Sequence, residues 1–135
     1  ILKVAQEEGP DLAVSLHSHS SNPTLLRPAY VPIETQERVR DLATACYALL
    51  EQRGLPHGSP FEPQPEKGEI PPPFNLASAL YHISGATAFT FECPHGVKGE
   101  KACQVTLEQI LDIQLTLYEA IIGFALRTNG VRSRR

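Results

Sequence analysis

The amino-acid sequence predicts an α/β fold on three observations: two short runs rich in apolar and β-branched residues, a long helical period after the first, and another after the second. The 135 residues are 41% hydrophobic, enough for one compact unit with a real core. Charged residues make up 20% and the formal net charge is -3, so no global field argues for nucleic acid or an anionic membrane surface as partner.

Taken in order, Ile1 to Glu8 has weak helical character and stops at Gly9-Pro10. Asp11 to His17 follows, a short apolar run that reads as a buried strand of a parallel sheet. His17 then stands at the strand's carboxyl end, where open α/β sheets place their ligand sites. Asn22 to Pro32 is extended. From Ile33 to Arg53, Val39, Leu42, Cys46, Leu49 and Leu50 recur at helical spacing, and Gly54 closes the helix. Leu55 to Phe74 holds seven of the twelve prolines and no apolar period, which excludes regular structure.

Asn75 is placed to cap a short helix, Leu76 to Ile83, ended by Ser84-Gly85. Thr87-Ala88-Phe89-Thr90-Phe91-Glu92 reads as a second strand stopped by Pro94. Thr106 caps the last helix, in which Leu107, Ile110, Leu111, Leu115, Tyr118, Ile121, Ile122 and Ala125 form one apolar stripe. That helix is expected to end near Asn129-Gly130.

Two strands make a poor sheet. The chain also contains no methionine and opens with Ile1-Leu2-Lys3-Val4, so we expect a fragment whose further strands lie upstream. Residues 1–127 are expected to form one portion of a domain, and 128–135 a basic, disordered tail. No run of about 18 apolar residues occurs, so no membrane span is expected. The cysteines are odd in number and not closely paired, which argues against a disulfide framework. Cys46 falls on a helix stripe as a small buried hydrophobe, while Cys93 and Cys103 flank a loop and could pair only in an oxidising compartment.

Two positions carry chemistry. His17 and His19 lie two apart, on one face of a strand, and either could reach a metal or simply make a hydrogen bond at the strand end. Ser15, Ser18, Ser20 and Ser21 add donors without a nucleophile signature. Glu92 ends an apolar run, where desolvation raises a carboxylate's pKa unless a cation or donor compensates, the setting of a general base. The alternative is a strand-end glutamate turned to solvent. His95, three residues on, could assist or merely sit in the loop.

The order and context of these residues resemble the zinc metallocarboxypeptidase family of carboxypeptidase A-like peptidases. Val14-Ser15-Leu16-His17-Ser18-His19 stands where that family has a strand ending in hydrophobic-His-Ser, and Leu25-Leu26-Arg27-Pro28-Ala29-Tyr30 is similar to its next extended stretch. Phe89-Thr90-Phe91-Glu92 matches its strand of aromatic-Thr-aromatic-Glu, and Thr106 to Arg127 its closing helix. The resemblance runs from about residue 1 to residue 127. It implies the C-terminal part of a mixed-sheet α/β/α catalytic domain that hydrolyses a C-terminal peptide bond. His17 would be the third protein ligand of a catalytic zinc, Glu92 would deprotonate the attacking water, and zinc would polarise the scissile carbonyl. Ser18, His19 and His95 would line the substrate subsites.

Three departures bound this expectation. None of the five histidines is followed three residues later by glutamate, so the family's His-x-x-Glu ligands are absent. They and the carboxylate-binding arginines would come from the upstream part of the same polypeptide. The family's mobile tyrosine would fall in the proline-rich stretch, where no tyrosine occurs; Tyr81 is too close to Glu92, and Phe74 cannot donate a proton. The substrate is thus expected to be a peptide, or a small amide if the parent is a related amidohydrolase or deacylase acting on an N-acyl amino acid. A catalytically dead binding domain of the same fold is the remaining alternative.

Overall fold

Helices and a small mixed sheet make up the computed structural model, which describes residues 1–61, 73–96 and 103–128. In chain order the elements are α1 (Leu2–Glu8), β1 (Leu12–His19), β2 (Thr24–Leu26), α2 (Ile33–Gln52), α3 (Leu76–Ser84), β3 (Thr87–Pro94) and α4 (Leu107–Arg127). The sheet order is β1-β3-β2, with β1 parallel and β2 antiparallel to the central β3. The expected α/β class is therefore present. Part of the proline-rich stretch (62–72) and the end of the basic tail (129–135) lie outside the described residues.

β3 is buried on both faces, which suits its continuous apolar and β-branched sequence. Pleating sends Phe89, Phe91 and Cys93 to one side, where they meet Val39, Leu42, Cys46 and Leu50 of α2 and Ile113, Leu117 and Phe124 of α4. Ala88 points the other way, into a smaller cluster with Ala5 of α1 and Ala77 and Leu80 of α3. Helices thus cover both faces, the larger side chains filling one layer and alanines allowing a close approach in the other.

Local signals set the helix ends. Gly9 and Gly85 take the left-handed conformation (φ 53° and 76°) that closes α1 and α3. Asn75 and Thr106 each form a capping box, with Ser78 and Gln109 respectively. Asn75 also donates from Nδ2 to the Arg27 carbonyl (3.1 Å), and Ser78 Oγ accepts the Ala29 N–H (2.7 Å), so one cap ties α3 to the chain leaving β2.

β1, read as a buried strand, is instead an edge strand whose second half is exposed, and three further features differ from expectation. β2 is a strand within the segment read only as extended. It is held by the buried Tyr47 hydroxyl, which accepts the Leu25 N–H at 2.8 Å. Gly58 is equally needed there: its N–H donates to the Pro23 carbonyl, and a Cβ would sit 3.0 Å from that same oxygen. β3 runs on to Pro94, because a proline at a strand's last position removes no interior ladder bond. The third difference is the face of α4. Ile113, Thr116, Leu117, Ala120 and Phe124 are its buried residues, whereas Leu107, Leu111, Leu115, Tyr118 and Ile122 of the expected stripe are exposed. Only Ile110 and Ile121 of that stripe touch the core cluster. α4 is apolar on more than one face, and a helical period cannot tell which face meets the sheet.

For the same reason α4, although it holds no unbroken run of about 18 apolar residues, is long and apolar enough to cross a membrane by length and composition.

Candidate functional site

The parallel register sets His17 of β1 directly beside Glu92 of β3. Because the side chains of neighbouring in-register residues share a face, the imidazole and the carboxylate meet: His17 Nδ1 lies 3.4 Å from Glu92 Oε1. The His17 side chain is 52% exposed and that of Glu92 only 16%. Glu92 is thus a largely enclosed carboxylate with the His17 imidazole beside it.

The other ring nitrogen, Nε2, lies 3.0 Å from Ser15 Oγ, two residues back on the same face. As imidazolium, the ring donates to carboxylate and hydroxyl together. As the Nε2–H tautomer it donates to Ser15, leaving the Nδ1 lone pair on the Glu92 side, the arrangement a metal-ligating histidine needs. Ser15 is the residue whose part the sequence reading passed over. The i, i+2 alternation of a strand was the signal that could have found it. Thr24 of β2 pairs with Glu92 from the other side of β3, so the carboxylate stands in the middle of the three strands' ends.

The remaining expected residues sit around this pair in different ways. Ser18 pairs with Cys93, on the opposite face, so only its main chain stays beside His17. His19 Nδ1 accepts the Ser21 N–H (3.1 Å) and lies 2.8 Å from Ser21 Oγ, which turns the ring into the loop after β1. The His95 N–H donates to the His19 carbonyl (3.1 Å), extending the β1–β3 ladder by one bond and holding the loop after β3 against the site. Tyr81 packs edge-on against His82 (5.4 Å), and Phe74 stacks between Tyr30 (6.4 Å) and His82 (6.0 Å).

The residues present fit part of a zinc site. His17 and Glu92 have the right chemistry and proximity, and Ser15 supplies the outer hydrogen bond. Among the described residues, however, no group of three or more His, Cys, Asp or Glu side chains is placed to hold a metal ion. No family model, curated protein or solved structure matches the chain.

The cysteines take no part in this chemistry. Cys46 is fully buried against the sheet, and burial pushes its thiol up to about 12. Cys93 and Cys103 are free thiols, both raised chiefly by burial.

Proposed function

We propose that this chain carries one half of the active site of a zinc-dependent carboxypeptidase, as the C-terminal part of a mixed-sheet α/β/α catalytic domain. The observation that carries the reading is the 3.4 Å approach of His17 Nδ1 to Glu92 Oε1 across parallel strand ends. Zinc bound there would polarise a scissile carbonyl and the attacking water. Glu92 is the base that takes the water proton and returns it to the leaving amine; its enclosure keeps it from bulk solvent. His17 is a metal ligand, its ring orientation set by Ser15. The other ligands and the groups that grip a substrate carboxylate come from polypeptide beyond these residues, and the substrate is a peptide or small amide.

A second reading rests on the same pair. With Nδ1 against Glu92 and Nε2 against Ser15, the histidine is satisfied without metal, as expected of a binding domain that has lost catalysis. Calorimetric titration with zinc separates the two. The isolated chain should bind weakly, and the intact parent tightly enough for chelation to abolish turnover. In the parent, Glu92→Gln should keep the metal and lose most activity. A parent that turns over substrate unimpaired with that substitution would remove Glu92 from the mechanism, and a parent indifferent to chelation would leave only the binding domain.

A further inference from the structure

We infer that Ser15, His17 and Glu92 form a serine-hydrolase triad, which without metal cleaves carboxylic esters with an apolar acyl chain. The inference goes beyond the peptidase reading, because it gives the same imidazole a different protonation and Ser15 a covalent role.

The order of atoms carries it. Ser15 Oγ lies 3.0 Å from His17 Nε2, and the other ring nitrogen, Nδ1, lies 3.4 Å from Glu92 Oε1. Hydroxyl, imidazole and carboxylate thus follow one another through opposite nitrogens of one ring, and a triad is recognised by that geometry whatever its order in the chain. Strand alternation puts Ser15 and His17 on one face, and the register of β1 with β3 adds Glu92. With the ring proton on Nδ1, toward the carboxylate, Nε2 accepts the Ser15 O–H. The 3.4 Å approach is looser than a usual N–H···O bond, as in many sites before substrate binds. Exposure suits the roles, since the His17 ring is half open to an incoming substrate and Glu92 is largely enclosed. Zinc and a proton cannot share Nδ1, so metal binding and serine activity compete for the ring.

The surroundings name the substrate. A cleft of about 470 Å³ is lined by Ala13, Val14 and Leu80 together with Ile1 and Val4 of α1. Ala13 precedes Ser15 on the same face, about 7 Å along the strand. An apolar acyl chain seated in the cleft brings its carbonyl to Oγ. The Leu16 N–H can hold the carbonyl oxygen. Asp11 and His19 accept bonds from β3 through their carbonyls, and main-chain groups alternate along a parallel strand, so Leu16 turns to the side of β1 without a neighbouring strand among the described residues. The N–H of the residue after a nucleophile is a recurrent half of an oxyanion hole. A single donor of this kind suits an ester, whose alkoxide leaves more readily than the nitrogen of an amide.

As the bond from Oγ to the acyl carbon forms, the Ser15 proton passes to Nε2, and the imidazolium is stabilised by Glu92. Nε2 gives that proton to the departing alkoxide as the ester C–O bond breaks, which leaves acyl-Ser15. Water then bonds the acyl carbon, its proton goes to Nε2, and Ser15 Oγ departs with it. An alcohol and a carboxylic acid are released and the protein is restored.

The test is to treat the full-length protein with a chelator, then with an octyl fluorophosphonate, and to map the adduct by mass spectrometry. Ser15 Oγ should displace fluoride and carry the label, and zinc added back should slow the labelling. The metal-free protein should hydrolyse p-nitrophenyl octanoate, with kcat/KM lower by roughly 100-fold or more in Ser15→Ala and in His17→Ala. Glu92 positions the ring without touching substrate, so Glu92→Gln should lower kcat at constant KM, and Glu92→Asp should recover part of the loss. Val4→Glu should reduce the preference for octanoate over acetate. Absence of an adduct on Ser15 overturns the inference. So does ester turnover that survives Ser15→Ala, or labelling equally fast in His17→Ala. The two readings fail separately: tight zinc binding with Ser15 unlabelled removes the triad and leaves the peptidase, whereas labelled Ser15 without zinc affinity does the reverse.

Discussion

His17 and Glu92 are far apart in the chain and adjacent in space because a parallel register, once set, pairs every residue of two eight-residue strands. At a zinc site Ser15 acts only through the ring it touches. Ser15→Ala should leave stability nearly unchanged, since both groups are partly solvated, but under the proposed peptidase function it should lower the zinc affinity of the intact parent by roughly 10–100-fold. Unchanged affinity in that variant, read by competition with a chelator, would show that the Ser15 hydroxyl does not orient the His17 ring for a metal. Cys46 makes a pH prediction. Its unfolded thiol loses a proton near the ordinary value of 9.0, whereas the buried thiol holds it to about 12. Above pH 9 the unfolded state therefore binds fewer protons than the folded state, and stability falls as pH rises. Stability from this thiol is intact below pH 9 and drains away toward pH 12. Denaturation midpoints at about pH 8 and about pH 10.5 should differ more in the native chain than in Cys46→Ala.

Among the elements, α4 offers the sharpest test, because two leucines two residues apart have opposite fates: Leu115 is 60% exposed and Leu117 fully buried. Leu117→Ala should cost about 2–5 kcal/mol in chemical denaturation and Leu115→Ala less than about 0.5 kcal/mol. Equal costs would mean that α4 is rotated from the face described. β2 depends on a single side chain from α2. Tyr47→Phe strands the buried Leu25 N–H and should cost about 1–3 kcal/mol, with faster hydrogen exchange across Thr24–Leu26. Both caps and the two left-handed glycine stops are local in origin: Asn75, Thr106, Gly9 and Gly85 act within a turn of their own position, so their effects are legible in the sequence. β2 is not, since three residues become a strand only through Tyr47 and Gly58, which arrive from elsewhere in the chain.

For the molecule as a whole, a three-stranded sheet with helices on both faces leaves, among the described residues, the outer edge of β1 without a neighbouring strand and the outer face of α4 exposed. Replacing Leu115 and Ile122 together by glutamate should raise the solubility of the isolated chain without lowering its denaturation midpoint, because neither side chain touches the core cluster. A lowered midpoint would show that this face already packs within the chain. The sequence by itself determined the α/β class, the bounds of the long helices, the two caps and the placing of His17 and Glu92 toward strand ends, because each follows from composition or period within one segment. Tertiary structure alone decided that residues 17 and 92 share a register, that Ser15 joins them, that Thr24–Leu26 pairs as a strand, and which face of α4 is buried. Each of these is a choice between partners distant in the chain, and side-chain periodicity is equally consistent with either answer until the partners meet.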